Sequence, residues 1–526
     1  MKRLLPVILV LSLLSCALWA QKQAADPITV EDIKAHMFFL AADEMAGRDA
    51  TSSEGRIAAN YIASEFMSMG LKPVGDNETY FQNFDMTVGP MDPSETSLKV
   101  KIGPSEKTYA LGHDFMWARQ SAKPTQVSAP LVFAGYGINA PEYGYNDFTG
   151  IDVRGKIVMV LNREPQSNDP NSKFKGRWDT VHSYAWDKIE EVRNAGAVGL
   201  LIITDKVPRR KQRIASAIPN YLAGPAPEYA LSGSLWDLPI FSITPDVANE
   251  ILASAGKTVE SAQSAIDSTG TPASFDLSNV TVSMSKGFKN PEVKKARNVV
   301  GLLEGSDPQL KNEVVVVSGH YDHVGVVSGR IYRGADDNAS GAIGVIEIAK
   351  ALCAQPKRPK RSVLFVTWDA EERGLLGAFY YVDHPIIPLK DTVANLNMDM
   401  IGRDEVSSNW PTPADGNHNM VNVVGTLYNP DIKQVIETQN RGIGLKLDYK
   451  TDTVDPESWF ARSDHFCFAM HGVPMVLFNT GEQADYHTEN DTWDRINYPK
   501  MEKIVRLIYL SSLEIANSDQ RPKFTP

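Results

Sequence analysis

The unbroken β-branched run Val314-Val315-Val316-Val317 constrains the fold more than any other stretch of the chain. Four such side chains in succession leave no polar face for water, so this strand has to be covered on both sides. An apolar helical stretch, Gly341 to Leu352, follows it. Further buried strands follow at Val363 to Trp368, Asn395 to Met400 and Val473 to Phe478. This alternation predicts an α/β fold with a mostly parallel mixed sheet flanked by helices. Upstream, Val30 to Leu40 and Ser53 to Met69 have helical spacing, with Ile57, Tyr61, Ile62, Phe66 and Met69 recurring at threes and fours. From about Leu98 to Val282 the texture is different. Short runs such as Pro130-Leu131-Val132-Phe133 and Ile157-Val158-Met159-Val160-Leu161 alternate with turn residues, which reads as a separate β-rich domain.

The chain begins as an export signal does. Lys2 and Arg3 precede an apolar run from Pro6 to Leu14, too short for a membrane span, and the small residue Ala20 precedes a polar stretch. Leu13-Leu14-Ser15-Cys16 also resembles a bacterial lipoprotein signal, in which Cys16 carries the lipid; the alternative is cleavage near Ala20 with loss of Cys16. The expected location is the periplasm, the outer membrane as a lipoprotein, or the exterior. A net charge of −11 argues against nucleic acid or an anionic membrane as the main partner. Besides Cys16 there are only Cys353 and Cys467, open to one bridge but equally suited to small buried positions. With no CxxC pair, any transition metal has to be held by histidine and carboxylate.

Each buried strand leads into ionisable residues. Val317-Ser318-Gly319 runs into His320-Tyr321-Asp322, Thr367-Trp368 into Asp369-Ala370-Glu371-Glu372, and Leu396-Asn397-Met398 into Asp399. The loop after the last strand holds Tyr486-His487, and the acidic turn Gly334-Ala335-Asp336-Asp337-Asn338-Ala339-Ser340-Gly341 opens the apolar helix. Open α/β sheets bind ligands outside the carboxyl ends of their strands. Taken singly, each piece has an ordinary structural explanation: a surface pair, a helix N-cap, a solvated Glu pair. Together they gather carboxylates whose repulsion is costly without a cation.

In combination these motifs resemble the co-catalytic di-zinc aminopeptidases, whose superfamily includes the glutamate carboxypeptidases. The resemblance covers most of residues 298–497. Leu40 to Arg48 looks like the family's preceding helical part, and the β-rich block, with Ala134-Gly135-Tyr136-Gly137, looks like its inserted protease-associated domain. The implied boundaries are 1–20 for the signal, 24–95 and 291–526 for the peptidase domain, and 96–290 for the insert.

The resemblance implies that Asp337, rather than Asp336, bridges two zinc ions. Glu372 and His487 complete the first site, and His320 and Asp399 the second. Asp322 orients His320, Glu371 is the general base, and Tyr486 donates to the oxyanion. The peptide bond after the bridging Asp is usually cis in this family, here Asp337-Asn338. His323 has the chemistry of a ligand, but the family pattern does not use that position. Ser463-Asp464-His465 lacks the arrangement of a serine triad.

The expected function is removal of N-terminal residues from peptides by way of a metal-bridging water. A carboxypeptidase or dipeptidase of the same superfamily is the alternative, reading a substrate carboxylate through Arg333, Arg403 or Arg462. A single-zinc glutaminyl cyclase and a non-enzymatic binding protein fit less well, since no ligand position is missing.

Overall fold

The computed structural model describes residues 27–117, 125–167, 169–176, 179–204, 228–231, 238–406, 417–452 and 459–525. The expected export signal and Cys16 lie outside these residues. The chain forms two compact units, one of Met1–Phe84 with Lys295–Thr525 and one of Asp85–Lys294. The joins expected from sequence stood after residues 95 and 290. The earlier first join has a physical reason. Met91–Ile102 is one strand that pairs with Phe275–Phe288 from Met91↔Phe288 to Ile102↔Val280, which draws residues 91–95 into the inserted unit.

In the first unit, α1 (Val30–Leu40) starts at Thr29, whose hydroxyl accepts from the Asp32 amide. Helix α2 (Ser53–Ser68) starts at Ser52, which accepts from the Gly55 amide at 2.9 Å. Such caps satisfy amides that the first turn leaves free. The main elements that follow are β1 (Glu292–Leu303), β2 (Val314–His320), α3 (Gly341–Cys353), β3 (Ser362–Trp368), α4 (Leu376–Asp383), β4 (Thr392–Met398) and β5 (Met420–Val424). They continue with α5 (Pro430–Ile443), β6 (Lys446–Asp448), α6 (His465–Met470), β7 (Met475–Asn479) and α7 (Tyr498–Asn517).

These strands lie in the order β1-β3-β2-β4-β7-β5-β6. Strand β2 is parallel to β3 and β4, and β4 to β7, while β1 and β5 run antiparallel to their neighbours β3 and β7. Every residue of β2, β3 and β4 is buried. Alternate side chains serve opposite faces. Val315, Val317, Val363 and Phe365 join the core that includes α3 and α7. Trp368 packs instead on Tyr381 of α4 and Phe468 of α6, at ring separations of 5.3 and 6.0 Å. The parallel strands therefore bring the loops after β2, β3, β4 and β7 to one edge.

The inserted unit has its own sheet, in the order Ser105–Tyr109, Met91–Ile102, Phe275–Phe288, Thr125–Phe133, Ile157–Leu161, Gly199–Ile203, Ile240–Ile243, Phe115–Trp117, and its own apolar core. Its four strands from Thr125–Phe133 to Ile240–Ile243 pair in parallel. Cys353 and Cys467 are free thiols. Among the described residues no helix is long and apolar enough to cross a membrane.

Candidate metal centre

The acidic turn before α3 is wholly buried, with Asp337 and Asn338 out of helical geometry and a cis peptide bond between them. Two glycines permit this. Gly334 has φ +58°, and a Cβ there would meet the Asp337 carbonyl at 2.1 Å; a Cβ on Gly341 would meet the Met398 carbonyl at 2.4 Å. Asn338 joins the turn to the end of β4. Its amide donates to the Met398 carbonyl at 2.9 Å, and its side-chain oxygen accepts from the Gly341 and Met400 amides. Asp491 accepts from the Asp336 and Asp337 amides. The two adjacent aspartates thus separate: Asp336 turns to the Gly402 amide, at 2.7 Å, and Asp337 faces the histidines.

Asp337 belongs to two groups of donor atoms. One is His320, Asp337 and Asp399; the other is His323, Asp337, Glu372 and His487. His320 Nε2 lies 3.5 Å from Asp337 Oδ1 and 3.4 Å from Asp399 Oδ1. His487 Nε2 lies 2.9 Å from Asp337 Oδ2 and 3.3 Å from Glu372 Oε2. Two ligand atoms on one tetrahedral zinc stand roughly 3.4 Å apart at ordinary bond lengths. The Nε2 atoms of His320 and His487 are buried without a hydrogen-bond partner, as atoms aimed at a cation would be. Donor type, spacing and orphaned nitrogens all fit zinc.

The electrostatics call for positive charge at the same place. Burial opposes a proton on His487, but Asp337 and Glu372 outweigh it and push the imidazole up to about 11. Burial is likewise outweighed at His320, where Glu371 and Asp399 raise the imidazole well above its usual range. Burial also works against the Glu372 charge, yet His323 and His487 hold that carboxylate well below its usual range. Glu371 goes the other way. Burial pushes it well up, His320 pulls it back, and Asp399 and Asp464 add to the rise. Two neighbouring carboxyls with opposite shifts are what separate acid–base and ligand roles require.

Two expectations gain detail. The Asp322 carboxylate stands within ion-pair reach of His320 but holds more than that imidazole. His320 Nδ1 lies 3.1 Å from the Asp322 backbone carbonyl and 3.7 Å from the carboxylate. The Asp322 carboxylate also accepts from the Glu371 and Glu372 amides, at 3.0 and 3.3 Å, so it sets the loop that carries those two residues. His323, discounted on pattern, is part of the site, with Nδ1 2.7 Å from Glu372 Oε1. Its position two residues past Tyr321 at a strand end was the available signal.

Tyr486 stacks on His487 at 4.0 Å and lines a cleft of about 350 Å³ with Glu371, Asp399, Ser463 and Arg462. Burial, ahead of Asp337 and Glu372, raises the Tyr486 phenol, which keeps its proton available for donation. Ser463 accepts from Asn397 at 3.0 Å, while Asp464 and His465 are buried at the start of α6. Of the three arginines named from sequence, only Arg462 lines the cleft. Arg333 pairs with Asp43, and Arg403 with Asp485.

Residues 298–511 match the model described as Peptidase family M28, and residues 127–251 match the PA domain. The chain is 23% identical to Aminopeptidase YwaD of Bacillus subtilis (strain 168) over 77% of its own length and 71% of that protein. It is 24% identical to the Glutamate carboxypeptidase 2 homolog of Caenorhabditis briggsae over 89% of its own length, spanning 64% of that relative. Among solved structures, the aminopeptidase from Aneurinibacillus sp. strain AM-1 aligns over 96% of this chain and 98% of its own, at 20% identity and a TM-score of 0.46.

Proposed function

Since this chain belongs to peptidase family M28 and carries an inserted PA domain, we propose that it is an exported aminopeptidase that hydrolyses N-terminal residues from peptides with two zinc ions. The observation that carries the proposal is the membership of Asp337 in both donor groups, with Glu371 beside them. His320 and Asp399 would hold one zinc and Glu372 and His487 the other, with Asp337 shared between the two sites and His323 steadying Glu372 from 2.7 Å. When bound, the two ions supply the Lewis acidity that acidifies the attacking water and polarises the scissile carbonyl. The protein's residues do the rest. Glu371 takes the water proton on a carboxylate oxygen and returns it to the leaving amine. The Tyr486 hydroxyl donates to the oxygen that becomes negative. Asp322 holds Glu371 and Glu372 in place through their amides, and Asn338 and Asp491 hold Asp337.

The N-terminal end of the peptide is favoured by the relative named an aminopeptidase. Arg462, the one arginine in the lining, is engaged by Glu482 at 2.6 Å, which leaves no unopposed arginine in that lining for a C-terminal carboxylate. A carboxypeptidase needs that pair to open. A panel of dipeptides and aminoacyl amides with free and acetylated N-termini separates the two. Cleavage confined to free N-termini is expected; cleavage of acetylated substrates bearing a free C-terminus would transfer the assignment to the carboxypeptidase. Residues 1–20 are proposed to direct export, with Cys16 as the lipid attachment point if the chain is anchored.

Zinc affinity should rise with pH. Zinc takes neutral imidazole, and His320 and His487 hold protons up to well above their usual range. Below those values each nitrogen has to lose a proton on binding, so affinity gains about tenfold per pH unit for each proton displaced. Competition with a chromophoric chelator between about pH 6 and about pH 8 measures this; a flat profile contradicts it.

A further inference from the structure

Arg48 is fully buried, yet no carboxylate lies within ion-pair distance among the described residues. Its guanidinium is spread over four backbone carbonyls. Nε donates to Tyr321 at 2.8 Å, one terminal nitrogen to Leu40 at 2.7 Å and Arg333 at 2.6 Å, and the other to Gly334 at 2.8 Å. Its own carbonyl accepts from the His323 amide at 3.3 Å. These partners flank the donor atoms of the metal centre: Tyr321 follows His320, and Arg333-Gly334 lead into Asp337. Burying a cation with no anionic contact is costly, and an apolar side chain would cost less if filling space were all that was needed. The guanidinium offers what neither an apolar chain nor lysine can, several donors in a rigid planar fork. Burial works against its charge and pulls the guanidinium down to about 10, while carboxylates at longer range favour the charge, Asp322 first, then Asp491, Asp337 and Glu372.

We propose that Arg48 is a positioning residue of the metal centre, a template that sets the distance between the loop bearing His320 and the turn bearing Asp337. It touches neither the donor atoms nor the cleft. This rests on the zinc reading above, and the test is built to tell the two apart. It is a zinc titration of the metal-stripped full chain against a chromophoric chelator, for wild type, Arg48→Lys and Arg48→Gln, with circular dichroism to verify folding and thermal unfolding followed with and without zinc.

Lysine keeps the charge but cannot reach four carbonyls in one plane. Both variants are therefore expected to bind zinc about 10–100-fold more weakly, the range found when groups that orient metal ligands are lost. Zinc should also raise their unfolding midpoints by less than it raises the wild type's. Wild-type zinc affinity in either folded variant overturns the inference. So does an equal fall in midpoint with and without zinc, which marks a role in folding alone, and so does failure of both variants to fold. A wild type that takes up no zinc overturns the metal reading, and this inference with it.

Discussion

Glu371→Gln is expected to cut peptide hydrolysis by about 10²–10⁴-fold in kcat, the usual worth of a positioned general base, while both zinc ions stay bound. Glutamine matches glutamate in shape but cannot take up a proton from water. The retained metal follows from placement. Glu371 is in neither donor group, and its carboxylate stands 3.7 Å from His320 Nε2. Its backbone is held by Asp322 and not by its own side chain, so the substitution should leave the loop where it is. Steady-state kinetics on an aminoacyl amide, with metal content measured on the same preparation, checks both halves. A rate within tenfold of wild type would remove Glu371 from the base role, and loss of zinc would make it a ligand.

Asp337→Ala should have the larger effect on the metals, with zinc content falling from two equivalents to one or none and hydrolysis becoming undetectable. Asp337 is the one residue common to the two donor groups, so its loss leaves His320 and Asp399 on one side and His323, Glu372 and His487 on the other. The first of these sets is then too small for a tetrahedral zinc site. The adjacent Asp336→Asn is the matched control. Asp336 is also buried and carries the same carboxyl group, but it faces the Gly402 amide, so zinc content is expected to stay near two. Metal analysis after dialysis reads both. Two equivalents in Asp337→Ala, or loss of metal in Asp336→Asn alone, would exchange the two residues.

The contrast between these neighbours shows how much of the site was legible. That the acidic turn opens a buried helix is visible in Gly334 to Leu352, because apolar periodicity is local. Choosing between Asp336 and Asp337 needed the family pattern, since chain position alone treats them alike. Asp322 shows a different boundary. The resemblance pairs it with His320, and the fold in addition brings the Glu371 and Glu372 amides to its carboxylate from the neighbouring strand. The family pattern passes over His323 because it counts positions, and the 2.7 Å approach of His323 to Glu372 exists only in the fold.

By itself the sequence determined the succession of β2, α3, β3, β4 and β7, the covering of β2, β3 and β4 on both faces, and the gathering of His320, Asp337, Glu371, Glu372, Asp399 and His487 at one sheet edge. Those follow from hydrophobic period and from strand direction, which short stretches of chain encode. The antiparallel strands β1 and β5 came only from the structure. Only the tertiary structure decided which polar groups hold the ligands. Arg48 reaches a carbonyl 273 residues away, Asp491 reaches the Asp337 amide across 154, and Asn338 reaches Met398 across 60. A buried polar group has to find a partner, but nothing in its local sequence says which one, because the partner is chosen by how loops from separate strands meet.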